Sequence, residues 1–207
     1  MPVPIDFPAR RLPIEYAPVQ GQTLMRILRK PPAGTLDPIR FSASMRNRFD
    51  SPSGSFGVIY AAFDLSTCFA ESITRDANSQ PLQHGGIIVS DAADIQTRLV
   101  AVLTCQRPLR LANMTDSGLY GVGAEAGEFN SVSYQSTTQV WSEQIFGRAE
   151  SVDGILYRSR FLNGRTAVAI FDRGGSNVML GATSVVPLDQ HPQYSTALNE
   201  LNICLMP

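Results

Sequence analysis

Two arginines, a tyrosine and a glutamate follow one another closely in this sequence. Arg46 and Arg48 precede a loop of Ser, Gly and Pro (DSPSGS). The apolar run GVIY ends on Tyr60, and Glu71 follows eleven residues later inside TCFAES. Arginine forks fit phosphate oxygens two at a time. A carboxylate set after the apolar Cys-Phe-Ala run faces the buried side of its helix, where it needs a partner or a purpose. Arg26 sits in the middle of LMRILRK, and Arg40 joins Arg46 and Arg48 ahead of the loop. An arginine inside a strand is unusual unless it meets an anion. A further cluster, GILYRSR, ends in Ser159 flanked by Arg158 and Arg160. It reads either as a strand edge protected by charge or as a serine and arginines at the lip of a cleft.

Each of these has an ordinary alternative. Spacing alone favours Tyr60 as half-buried core and Glu71 as a solvated helix face, and most single arginines here fit exposed loop charges. What argues for chemistry is delivery. A strand that ends on Tyr60 and a helix that carries Glu71 converge at one mouth when the helix folds back along the sheet.

The elements that would do this can be read locally. GQTLMRILRK gives a strand closed by Pro31–Pro32, and the 33–55 segment is mostly loop. GVIYAAF is a buried strand bounded by Gly57 and Asp64. Asp64 or Ser66 caps a helix through TCFAESITRD. Strands follow at Leu99–Thr104 and Leu109–Ala112, and the Gly-, Ser- and Asn-rich 113–134 stretch reads as a long loop or several short turns. Thr137 or Thr138 opens a helix through VWSEQIFGR. Val152–Tyr157, Ala167–Phe171 and Val178–Leu180 read as strands, and 198–205 as a last strand or helix. Residues 1–21, rich in proline, form an extended N-terminal arm. Strands and helices do not alternate regularly, which argues against a doubly wound parallel sheet. The expectation is a single α+β domain.

Composition narrows the function. The 207 residues carry 43% hydrophobic and 17% charged side chains with a net charge of -1. That is enough apolar material for one core, and no global basic field exists to hold nucleic acid. No run approaches a membrane span and the N-terminus lacks an apolar signal region, so a cytoplasmic location is expected. Three scattered cysteines predict inert thiols rather than a disulfide framework or a metal site. With only His84 and His191 available, a His-based metal centre or a Ser-His-Asp triad is disfavoured.

LMRI, RFDSPSGSFGVIYAAFDLSTCFAESI and DGILYRSR followed by AVAIF occur in this order between residues 24 and 172. Together they resemble the RES domain family, named for its Arg, Glu and Ser. The domain would span 22–207. Many members carry a GGRWNSPG-like stretch where this chain has RNRFDSPSG. Matched position by position, the family arginine falls on Arg48, with Arg46 as the competing choice. The tyrosine falls on Tyr60, the glutamate on Glu71 and the serine on Ser159, and Arg26 matches a further arginine on the first strand.

The resemblance implies an ADP-ribosyltransferase-like fold: a split antiparallel β-core with flanking helices. It implies a toxin that consumes NAD by hydrolysis or phosphorolysis, with inorganic phosphate as the possible co-substrate and no metal. On this reading Glu71 stabilises positive charge developing on the ribose. Arg48 and Arg26 grip the pyrophosphate, Tyr60 packs on the nicotinamide, and Ser159 bonds either substrate or Glu71. Arg158 or Arg160 would hold phosphate. The implied partner is an Xre-like helix-turn-helix antitoxin that covers the cleft and itself contacts DNA. Two other readings stay open: a mono-ADP-ribosyltransferase using the same pocket on a protein target, and a silent module that only binds the antitoxin.

Overall fold

The computed structural model describes residues 3, 6–17, 22–73, 88–129, 137–174 and 180–206. Expectations that fall on 74–87, 130–136 or 175–179, including His84 and the start of the expected 178–180 strand, lie outside the described residues. The strands are β1 (Ile14–Ala17), β2 (Leu24–Arg29), β3 (Val58–Ala62), β4 (Ile88–Asp91), β5 (Arg98–Cys105), β6 (Leu109–Met114), β7 (Gly154–Arg158), β8 (Thr166–Phe171), β9 (Leu180–Pro187) and β10 (Ile203–Met206). The helices are α1 (Leu65–Ser72), α2 (Ala92–Gln96), α3 (Asp116–Val122), α4 (Ala126–Phe129), α5 (Thr138–Phe146) and α6 (Tyr194–Glu200).

Eight strands form one sheet in the order β1-β6-β7-β8-β3-β2-β5-β9, and β4 pairs with β10 in a small parallel sheet. The large sheet is antiparallel except for β6 beside β7. Such a parallel pair needs a long crossover, and α3, α4 and α5 supply it. The 113–134 stretch, read as loop and turns, therefore carries two short helices. Its glycines do not break α3; Gly123 ends that helix at φ 76, a backbone that glycine adopts without strain.

Side chains sort by strand parity. Ile59, Val168 and Ile170 are buried on one face, Val58, Ala167, Ala169 and Phe171 on the other, under the helices. Gly154 is required where β7 meets β8, since a Cβ there would lie 2.2 Å from Ala169 O. The described part of the N-terminal arm is anchored to the core. Phe7 is fully buried edge-on against Trp141, and β1 adds an edge strand beside β6.

The split in the core has a definite location. β2 pairs with β5 over six positions and β3 with β8 over five, but β2 and β3 share only the pair Met25–Ala62. Beyond that pair the two strands part. The wedge between Arg26–Arg29 and Val58–Ala61 is where the sheet opens.

Candidate active site

A cavity of about 530 Å³ fills this wedge. Its walls include Arg26 and Arg29 from β2, Tyr60 and Ala61 from β3, Cys68 and Glu71 from α1, and Ser42, Asn47 and Tyr157. Three of the expected site residues, Arg26, Tyr60 and Glu71, thus meet in one place.

Glu71 arrives through the start of its own helix. Asp64 N-caps α1, accepting from Thr67 N at 2.8 Å, and its side chain also accepts from Arg165 at 2.7 Å. Arg165 further pairs with Glu200 of α6, so the turn after β7 is fastened to the base of α1. At the other end, in the last turn of α1, Glu71 Oε1 accepts from Ser159 Oγ at 2.7 Å and from Arg160 N at 3.0 Å. Ser159 Oγ accepts in turn from Phe161 N at 3.3 Å and Leu162 N at 3.1 Å. Ser159 is fully buried, and of its two expected partners the one it bonds in this structure is Glu71. Both bonds fall on Oε1. Among the described residues Oε2 has no hydrogen bond and is the oxygen available to a ligand.

Arg26 is held at the wedge by Nη1, which donates to Pro38 O at 3.1 Å and Arg40 O at 3.0 Å. Burial pulls its pKa down to about 10, opposed by Asp37. A group in that state gains from an anionic neighbour. Arg29, at the rim, pairs with Asp94 at 3.0 Å. Tyr60 donates its phenol proton to Asp50 Oδ1 at 2.9 Å and accepts from Phe49 N at 2.7 Å. Burial, followed by the nearby Asp50 charge, raises its pKa well above the usual phenol value.

The remaining arginines are placed elsewhere. Arg48 does not line the cavity. It is 3% exposed, and its guanidinium stands 5.2 Å from the Phe49 ring centroid and 5.0 Å from that of Tyr157. It donates to Phe129 O and Arg158 O, bracing the cavity wall from behind. The Arg46 side chain is exposed, and its backbone N–H bonds Asp50. Arg158 pairs with Asp116 at 2.6 Å. Arg160 bonds Glu71 through its backbone N–H and lays its guanidinium over Phe161.

Sequence reasoning missed Asn47, Tyr157 and Asp50. The last leaves a signal, an acidic residue in an Arg- and Ser-rich loop. Cys68 donates its S–H to Met25 O at 2.9 Å and burial pushes its thiol up, as an inert packing residue requires. Among the described residues no group of three or more acidic, Cys or His side chains could hold a metal. No described helix is long and apolar enough to cross a membrane.

The RES domain family model matches residues 23–193 of this chain. A chain of the crystal structure of the M. tuberculosis MbcT–MbcA toxin–antitoxin complex shares the fold, with a TM-score of 0.58 at 14% identity over 95% of this chain and 94% of that one. No curated protein matches the sequence.

Proposed function

The chain belongs to the RES domain family, and on that premise we propose that it is the toxin of a toxin–antitoxin pair, an enzyme that breaks the nicotinamide–ribose bond of NAD. The observation that carries this reading is Glu71 in the wedge: Oε1 fixed by Ser159 and Arg160 N–H, Oε2 bonded to no donor among the described residues, Tyr60 and Arg26 on the same cavity.

The chemistry asks for little more. As the C–N bond lengthens, its electron pair leaves with neutral nicotinamide and positive charge builds on the ribose. Glu71 places negative charge there before the reaction starts, so no reorganisation is needed in the transition state. Its carboxylate also accepts from a ribose hydroxyl through Oε2. Tyr60 offers a ring face to the nicotinamide. Arg26, with Arg29 at the rim, takes the pyrophosphate, replacing Arg48 in that role. An acceptor oxygen then attacks the ribose carbon and loses its proton.

The partner follows from the same site. An antitoxin bound over the wedge, presenting an acidic group or a C-terminal carboxylate to Arg26 and Arg29, would occupy the pyrophosphate position. A helix-turn-helix partner of the Xre type would bring the pair to DNA, since this chain's net charge of -1 gives it no field of its own. Both would act in the cytoplasm, where NAD is met.

Purified protein incubated with NAD, with and without inorganic phosphate, tests the reading by mass analysis. ADP-ribose alone means hydrolysis, ADP-ribose-1″-phosphate means phosphorolysis, and a mass shift on an added protein means transfer. No loss of NAD under any condition refutes the enzyme reading.

A further inference from the structure

The loop that leads into β3 was expected to contribute an arginine to the cavity. It lines the cavity with Asn47 instead, and sets a buried carboxylate, Asp50, behind that wall. We propose that Asp50 is the positioning residue of this site: it tethers the phenol of Tyr60 and the 44–50 loop into one rigid wall, so that Tyr60 serves the dinucleotide as a fixed ring face and not as a proton donor. The inference rests on the NAD reading for its ligand.

Asp50 is fully buried. Its Oδ2 accepts from Ser44 Oγ at 2.5 Å, Arg46 N at 3.1 Å, Asn47 N at 3.0 Å and Asn47 Nδ2 at 3.1 Å. Its Oδ1 accepts from the Tyr60 hydroxyl at 2.9 Å. Donors on this scale offset the cost of removing a carboxylate from water. Two of the residues tied to it, Tyr60 and Asn47, line the cavity. The loop is stitched from outside as well. Gln139 Nε2 of α5 donates to Met45 O at 3.0 Å and Asn47 O at 2.9 Å, and Ser142 Oγ donates to Phe49 O at 2.6 Å.

The consequence for Tyr60 is directional. Its proton points at Asp50 and its oxygen accepts from Phe49 N, so the hydroxyl is committed at both ends. Burial beside Asp50 raises its pKa and keeps the phenol neutral. A hydroxyl in that state cannot hand a proton to a leaving group; the ring, held at its far end, keeps its face to the cavity.

Asp50→Asn and Tyr60→Phe test this, singly and together. In Asp50→Asn the amide oxygen can keep the four loop donors while its Nδ2 turns to Tyr60, so the loop survives and the tether reverses. Tyr60→Phe keeps the ring and cuts the tether, leaving the loop donors untouched. Each single variant is expected to raise KM for NAD about 3- to 10-fold with kcat little changed, the net scale of one ordinary hydrogen bond. The double variant is expected to be no worse than the worse single. A slowly exchanging hydroxyl proton in the NMR spectrum, absent from Tyr60→Phe, should be lost or strongly shifted in Asp50→Asn. Unchanged KM in both variants, multiplying effects, or a fall in kcat with KM intact overturns the tether. If the wild type neither binds nor consumes NAD, the NAD reading falls, and the proton signal alone decides: its loss in Asp50→Asn supports the tether and its persistence refutes it.

Discussion

Ser159 Oγ donates a 2.7 Å hydrogen bond to Glu71 Oε1 across 88 residues of sequence. That contact joins the turn after β7 to the last turn of α1, and it fixes which carboxylate oxygen is left for a ligand.

Removing the charge at its centre should stop turnover without unfolding the chain. Glu71→Gln keeps the side-chain volume and can still accept from Ser159, but it brings no negative charge to the ribose. The expected loss in kcat is about 10²–10³-fold, read by NAD consumption beside an unchanged circular dichroism spectrum. Turnover near the wild-type rate in a folded variant would take Glu71 out of the mechanism.

Ser159→Ala should cost both activity and stability. The hydroxyl donates to Glu71 and accepts from Phe161 N and Leu162 N, so its loss strands two backbone donors at up to about 1–3 kcal/mol each. Glu71 keeps the Arg160 N–H bond and loses its fixed rotamer. Urea unfolding and kcat measured on the same samples should fall together; a stable protein with full kcat would contradict the arrangement.

Arg26→Lys should weaken NAD binding nearly as much as Arg26→Ala. A fork can keep Pro38 O and Arg40 O on Nη1 while its other nitrogens face the cavity; an ammonium at the end of a flexible stem cannot reproduce that geometry. Calorimetry with ADP-ribose measures this directly, and affinity restored by lysine would mean that the residue supplies only a general positive field.

Arg48→Lys should behave differently from Arg26→Lys. Arg48 is a buried brace between Tyr157, Phe129 and the β7 backbone, and its replacement should cost about 2–4 kcal/mol of stability. The fraction that remains folded should bind NAD with the wild-type KM. A large rise in KM in a fully stable variant would return Arg48 to the substrate.

Acid should loosen the N-terminal segment early. Arg148 donates to Phe7 O and Arg10 O and pairs with Glu150. The bond to Arg148 pulls the Glu150 pKa down from 4.5 to about 2. A depressed carboxylate contributes stability above its unfolded pKa and loses it as pH falls through the folded value, so the window is from about 4.5 down to about 2. Glu150→Gln should reduce the stability lost across that window by up to about 1 kcal/mol. An identical slope in both proteins would remove the pair from acid unfolding.

Much of this protein was set by local sequence. Asp64 fixes the start of α1 because its short side chain caps Thr67 N better than water does. The parity of GVIYAAF and AVAIF determines which face each side chain takes, because strand side chains alternate whatever surrounds them. Those two facts carry Tyr60 and Glu71 to the same mouth. Helices α3 and α4 were hidden by glycine content, which lowers helix propensity but yields to packing under a crossover. Tertiary structure alone decided the rest. Arg46 and Arg48 are chemically equivalent in a loop; only the rings of Phe49 and Tyr157 and the Phe129 carbonyl, 81 residues away, draw Arg48 inward. The cavity itself exists because β2 and β3 hold one register pair and then part, a relation between strands that neither strand's sequence contains.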